Sequence, residues 1–314
     1  MAKNRVQFQK SMSLSQFMAA YGTEAQCQEA LFAWRWPKGF VCPLCGQPDG
    51  HALKSRRLIQ CKSCRHQCSL TSGTIFAATK LPLRVWFQGL YLITQAKNGI
   101  SALELSRSLG ISDNSAWLIK HKLMQVMKER EAGRELSGLV QLDDAYWGGK
   151  RRGKSGRGAR GKRAMVAAVQ TDEDGHPQRM RLSCVSGFRL REIARWSKVH
   201  LNPGTTVRSD GLWCFAAVTE NGCTHRPVPM NRPDKAKRRR VLKWVDTMLG
   251  NVKNSLHGTY HAIGLKHLPR YLAEFCYRFN RRHDLASMLK RLAIAAVQTT
   301  PMPYRLVKLA EPNW

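Results

Sequence analysis

The apolar positions of this chain fall into two regimes. Between residues 83 and 127 they recur at helical spacing. Residues 83–96 place Trp86, Phe87, Leu90, Leu92 and Ile93 on one helix. Residues 101–109 read as a short amphipathic helix and Gly110 as a turn. Ser112 then caps a helix running from residue 113 to about 127, on which Ala116, Ile119, Leu123 and Val126 repeat at helical intervals. From Val140 onward the pattern changes to short apolar runs separated by turns. Residues 139–147, 163–171 and 179–185 read as three strands, the last two joined by the polar turn Thr171-Asp172-Glu173-Asp174-Gly175. Residues 190–201 read as a helix with Ile193, Ala194 and Trp196 turned to a core, stopped by Asn202-Pro203-Gly204. A fourth strand over 205–209 delivers Asp210 at its end. A short helix over 212–219, a fifth strand over 224–230 and a long helix carrying Asp246 and Lys253 follow.

Charge narrows the partners. Lys and Arg number 52 against 21 Asp and Glu, a formal net charge of +31 over 314 residues, so a polyanion is the expected ligand. No apolar run approaches the length of a membrane span and the first residues carry no signal-peptide pattern. The reading is a cytoplasmic, nucleoid-associated protein with no membrane partner and no small-molecule substrate. Ten cysteines in such a compartment are not expected to pair. Four have another use: Cys42-Pro43-Leu44-Cys45 and Cys61-Lys62-Ser63-Cys64 are two Cys-x-x-Cys pairs fifteen residues apart, the spacing of a ribbon that holds one structural Zn²⁺. Gly46 follows the first pair where the knuckle needs a permissive backbone, and Cys68 is read as a core residue. The basic loops of the ribbon suit phosphate contact, and a protein-docking role stays open beside it.

The short helix, Gly110 turn and second helix suit a helix-turn-helix, or equally an ordinary helical hairpin linking two domains; the net charge favours DNA contact, with Lys120 and Lys122 on the second helix expected to meet it. The most basic stretch is the glycine-rich segment 150–163. Its Lys150, Arg151, Arg152, Lys154, Arg157 and Arg160 read as a clamp on a phosphate backbone, and Arg238, Arg239 and Arg240 form a second basic run.

Three hairpin strands, helix, strand, helix, strand, helix is the element order of a ribonuclease H-like fold. Asp143, Asp210 and Asp246 fall on the first strand, the end of the fourth strand and the late helix. Three gathered carboxylates repel one another unless a divalent cation neutralises them, and paired metals suit phosphodiester cleavage. Asp246 and Lys253 are seven residues apart, about two helical turns, and so share a helix face. Strand alternation puts Asp144 on the face opposite Asp143. It does not say which face the site uses.

The ribbon, the Asp143-Asp144-Ala145-Tyr146-Trp147-Gly148-Gly149 opening and the stretch from Trp244 to Lys253 together resemble a DDE-type insertion-sequence transposase with an N-terminal zinc ribbon, of the insertion sequence fifteen-ninety-five type. Gly258-Thr259-Tyr260-His261 and the segment from Tyr271 to Arg282 add to the resemblance, which covers nearly the whole chain. It selects Asp143 over Asp144 as the first acid. It implies a transposase that binds terminal inverted repeats, cleaves the element's ends and transfers them into target DNA, acting as a homo-oligomer on DNA. The implied catalytic set is Asp143, Asp210, Asp246 and Lys253, with the three aspartates holding two Mg²⁺ or Mn²⁺ ions. The group commonly carries Asn or Glu where this chain has Asp246, and Glu274 is the rival third ligand. A decayed DNA-binding regulator and a metal-dependent nuclease without joining activity are the alternative readings.

The expected architecture is an α/β catalytic domain with a ribonuclease H-like mixed sheet flanked by helices, preceded by a small zinc ribbon and a helical helix-turn-helix-like domain. The expected spans are an N-terminal helical segment (1–36), the ribbon (37–80), the helical DNA-binding region (81–135), the catalytic domain (136–300) and a C-terminal tail (301–314).

Overall fold

The structure, a computed structural model, describes residues 10–148, 161–228 and 241–310. It divides into two compact units, Met1–Val126 with Arg282–Lys308, and Met127–Arg281 with Leu309–Trp314.

In the first unit, helices α1 (Leu14–Tyr21) and α2 (Glu24–Arg35) each start in a capping box, formed by Ser13 with Gln16 and by Thr23 with Gln26. A three-stranded antiparallel sheet follows, β1 (Gly50–Leu53), β2 (Leu58–Cys61) and β3 (Gln67–Ser69). Arg35 ties α2 to this sheet through hydrogen bonds to the carbonyls of Ser69, Leu70 and Ser72. Helix α3 (Leu83–Gln95) begins after Pro82, which provides no side-chain cap. Both oxygens of Glu24 accept from its first amides instead, Leu83 N at 2.9 Å and Arg84 N at 2.9 Å. Helix α4 (Ala102–Leu109) is capped by Ser101 and closed by Gly110 in the left-handed conformation (φ 63°). Helix α5 (Asp113–Ala132) then runs to the second unit.

The second unit is built on a five-stranded mixed sheet of order β6-β5-β4-β7-β8. Its strands are β4 (Leu139–Trp147), β5 (Arg163–Thr171), β6 (Pro177–Cys184), β7 (Thr206–Ser209) and β8 (Thr224–Pro227). The first three pair antiparallel, while β7 lies parallel to β4 and β8 parallel to β7. Period-two alternation sends Val166 and Ala168 of β5 to one face and Met165, Ala167 and Val169 to the other. The first face packs on Ile193 and Trp196 of α6 (Leu190–His200) and on Phe215 and Val218 of a 3-10 helix (Trp213–Asn221). The second packs on Val245, Met248 and Val252 of α7 (Lys243–Tyr260) and on Leu272 and Cys276 of α8 (Leu268–Asn280).

From β4 to α7 the element order is the one expected from the sequence; α5 runs to Ala132, five residues past its expected end, and residues 229–230 of the expected fifth strand lie outside the described residues. The domain spans differ more. The main segment of the second compact unit is Met127–Arg281, whereas the catalytic span was expected over 136–300. Helix α9 (Met288–Gln298) packs on α2 and α3, with Ile75 N donating to Ala296 O. Its buried face, Leu289, Leu292 and Ala296, is compatible with any apolar partner, so periodicity alone does not assign it. A last helix, α10, spans Tyr304–Leu309.

A buried polar cluster joins the end of α5 to α8 and β6. Glu131 accepts from Arg281 at 2.5 Å and from Asn280 at 2.6 Å. Asn280 also pairs with both backbone groups of Met180, and Arg181 donates to the carbonyls of Glu131 and Arg134. The side chains of Arg281 and Glu131 are only 4% and 5% exposed, so removing one partner leaves a buried charge unmatched. Glu131→Ala is therefore expected to cost about 3–5 kcal/mol, read as a lower denaturant midpoint. The paired change Glu131→Leu with Arg281→Met should cost less than either single change.

Candidate active site and zinc-type site

Parallel pairing of β4 with β7 runs from Leu139↔Thr206 to Leu142↔Ser209. One step further brings Asp143 beside Asp210. Asp210 follows the last residue of β7 and is held in a turn: its Oδ1 accepts from Leu212 N at 3.0 Å across Gly211, whose φ of 83° suits glycine. The strand before it is braced by His225 of β8, whose Nε2 lies 2.9 Å from Ser209 Oγ; the same hydroxyl accepts from Gly211 N. Burial holds the His225 imidazole below its usual range, which suits a neutral bracing residue.

Carboxylate oxygens of Asp143, Asp144 and Asp210 all lie within 4.8 Å of one another. Asp143 and Asp210 are nearly buried, at 6% and 9% exposure. Asp144 was expected to turn away from Asp143, yet its carboxylate joins the group, and its N–H donates to Asp143 Oδ1 at 2.9 Å. Strand β4 continues past the end of β7 here, so side chains from both of its faces can reach round the unpaired edge. Three close carboxylates, two nearly buried and Asp144 half-buried, suit a hard divalent cation.

Asp246 does not belong to this group among the described residues. It lies in the first turn of α7 on the exposed side of the helix, and Lys253 is exposed on the same side two turns later. Glu274 on α8 is engaged elsewhere: it is 1% exposed, accepts from Tyr260 OH at 2.9 Å and lies 3.8 Å from Arg278. Burial and the Glu274 charge both push the Tyr260 phenol up, so it stays a donor.

In the first unit, one sulfur from each of Cys42, Cys45, Cys61 and Cys64 lies within 4.8 Å of the others. Cys42 and Cys64 are 3.6 Å apart, as are Cys45 and Cys61, close to the edge of about 3.8 Å of a tetrahedron with Zn–S bonds of about 2.3 Å. The two knuckles repeat one another. Gly46 N donates to Cys42 O and Arg65 N to Cys61 O, with φ of 73° at Gly46 and 61° at Arg65. The Cys64 backbone N–H leads in pulling the Cys61 thiol down to about 6, toward the thiolate that binds metal. Cys68 is buried in the small core with Trp36, Phe40, Cys42 and Cys61, as expected.

Two expected DNA contacts are corrected. Lys120 and Lys122 are 1% and 5% exposed. Lys120 Nζ donates to Ile100 O at 2.6 Å and Lys122 Nζ to Ile75 O at 3.0 Å. Burial lowers the Lys122 pKa. Around them Ala116, Ile119, Leu123 and Met124 are also buried: this part of α5 is covered on all sides, a central helix rather than one laid in a groove. Lys150, Arg151, Arg152, Lys154, Arg157 and Arg160, and Arg238, Arg239 and Arg240, lie outside the described residues.

Two domain families match spans of the chain that contain these residues. Residues 135–280, which contain the acidic group, match the family of ISXO2-like transposase domains. Residues 22–67, which contain the four cysteines, match the transposase zinc-ribbon domain. A protein of Halobacterium salinarum described as an uncharacterized protein in transposable element ISH50 is 26% identical over 128 residues, 40% of this chain. The chain thus spans 42% of the length of that curated relative. The crystal structure of the Mos1 strand transfer complex is similar over 67% of this chain and 78% of that one, at a TM-score of 0.26 and 10% identity, a likeness too slight to bear on the fold. Residues 135–280 thus resemble an ISXO2-like transposase domain, and the segment before them resembles a transposase zinc ribbon.

Proposed function

We propose that the protein binds the terminal inverted repeats of an insertion sequence, cleaves the element's ends and transfers the freed 3′ hydroxyl into target DNA. The observation that carries this reading is the pairing of Asp143 and Asp210 at the end of adjacent parallel strands, inside the span that matches a transposase domain. The sheet order β6-β5-β4-β7-β8, three antiparallel strands followed by two parallel ones, supports a ribonuclease H-like assignment. The formal charge of +31 supports DNA as the partner. Among the described residues no helix is long and apolar enough to cross a membrane, and action on DNA makes the cytoplasm and nucleoid the proposed location. Pairing two element ends calls for a homo-oligomer on DNA.

Asp143 and Asp210 would hold divalent cations, with Asp144 at hand beside them and Asp246 as the third family position. Mg²⁺ or Mn²⁺ bound there supplies Lewis acidity, favouring the deprotonated water or hydroxyl nucleophile and stabilising the leaving oxygen. The carboxylates orient that centre, and their burial keeps competing water away. Lys253, exposed on the side of α7 that carries Asp246, would meet a phosphate as a point charge. The four cysteines would hold one structural Zn²⁺ that closes the ribbon.

End cleavage and strand transfer on DNA carrying the element's ends, with Mg²⁺ or Mn²⁺, tests this reading. Asp143→Ala and Asp210→Ala should each abolish joined products while leaving end binding intact. Loss in Asp246→Ala as well assigns the third acid, whereas loss in Asp144→Ala with Asp246→Ala active moves that role to Asp144. Cut but unjoined products would make the protein a nuclease. Specific binding with no wild-type cleavage would make it a decayed regulatory copy. Purified protein should contain about one zinc ion per chain, reduced severely in Cys45→Ser; metal analysis with unchanged zinc in that variant would remove the ribbon site. Neutralising Arg151, Arg152, Arg157 and Arg160 together should flatten the slope of log affinity against log salt by about 3 to 4. An unaltered slope would remove the clamp.

A further inference from the structure

Helix α7 carries Asp246, the third family position, and among the described residues no local side chain caps it. Its cap position, Leu242, makes no side-chain hydrogen bond to the first turn. The acceptor comes from the sheet. Gln141 Oε1 receives Trp244 N at 2.9 Å and Val245 N at 3.1 Å. Gln141 is 5% exposed, and because both partners are N–H donors, only the oxygen of its amide can face them. The Trp244 indole adds a second tie, donating to Gly175 O at 2.5 Å.

Gln141 shares a strand face with Asp143, Ala145 and Trp147. At the far end of that face Trp147 stacks on His257, with ring centroids 4.7 Å apart. From Gln141 to Trp147 the strand advances about 20 Å. From Trp244 to His257 the helix also advances about 20 Å. Helix α7 therefore runs alongside β4 in the same direction, pinned at both ends, with Asp143 between the pins. Counting from the Gln141 pin, Asp143 lies about 7 Å along the strand and Asp246 about 3 Å along the helix. The cap thus holds the two acids within about 4 Å of the same level.

We propose that Gln141 is a positioning residue for the third carboxylate: its side-chain oxygen caps α7 from the strand that bears Asp143 and holds Asp246 level with it. This rests on the reading of Asp246 as a contributor to the metal site. Without the acceptor, the first turn of α7 loses its anchor and frays, and Asp246 with it. The two amides sit at the positive end of the helix, so a carboxylate in place of the amide keeps the contact.

The test compares wild type, Gln141→Met, Gln141→Glu and Asp246→Ala. Methionine keeps length and loses the acceptor; glutamate keeps the acceptor. Hydrogen exchange in EDTA should show the Trp244 and Val245 amides deprotected in the methionine variant and protected again in the glutamate variant. The Mg²⁺ concentration for half-maximal end cleavage should rise about tenfold with methionine and return to within about twofold of wild type with glutamate, while end binding in EDTA stays unchanged. Should the methionine variant not fold, Gln141→Asn withdraws the acceptor by one methylene and is read in the same way. A methionine variant with wild-type Mg²⁺ dependence, beside an inactive Asp246→Ala, would overturn the proposal and leave the functional reading standing. So would a glutamate variant as impaired as methionine. Full activity of Asp246→Ala would overturn the third-acid reading itself, and this proposal with it.

Discussion

The parallel pairing of β4 with β7 is the constraint on which the acidic site depends. Asp143 and Asp210 are 67 residues apart in the chain, and they become neighbours only because Leu142 and Ser209 share a register position. A slip of one residue would turn Asp143 to the opposite face of the sheet. The register is protected by burial on both faces, with Val140, Leu142 and Val207 packed on one side and Ala145 and Trp147 on the other. The ends of the strands then gather the acids: β7 stops, β4 continues, and the unpaired edge leaves room for three carboxylates. Ser209 and His225 hold that edge from the adjacent parallel strand.

A second theme is that critical helix starts are capped from a distance. Glu24 caps α3, and Gln141 caps α7. In each case the cap residue itself, Pro82 in one and Leu242 in the other, makes no side-chain hydrogen bond to the first turn. A remote cap does two things that a local one cannot. It satisfies orphan amides, and it also fixes where the helix begins relative to another element. The Glu131, Asn280 and Arg281 cluster works similarly at the other end of its unit, with Asn280 bonding the backbone of Met180 in β6.

The ribbon needs no such long-range agreement. Its two knuckles are built from backbone hydrogen bonds within four or five residues, Gly46 to Cys42 and Arg65 to Cys61. That locality is why four cysteines in two pairs could be read directly from spacing. Lysine charge behaves differently. A net charge of +31 predicts a polyanion partner for the molecule, but says nothing about any one side chain. Lys120 and Lys122 direct their ammonium groups to backbone carbonyls in the interior, where packing around α5 leaves no other place for them.

Much of the fold was legible in the sequence because its signals are local. Short apolar runs marked β4 and β5 to the residue, Gly110 marked the turn after α4, and Asp172 with Gly175 marked the hairpin between β5 and β6. Asp143 and Asp210 could be proposed as partners from the order of elements. The sequence alone could not tell that Asp144 joins them, that Gln141 caps a helix 103 residues away, or that α9 packs with the N-terminal helices rather than with the sheet. Periodicity states which residues turn inward and leaves open what they turn toward. Composition, metal-ligand spacing and the two repeating periods thus lay in the sequence itself. Partner choice lay with the tertiary structure, because strand register and helix docking are decided by whichever apolar faces and unsatisfied amides the folded chain brings together.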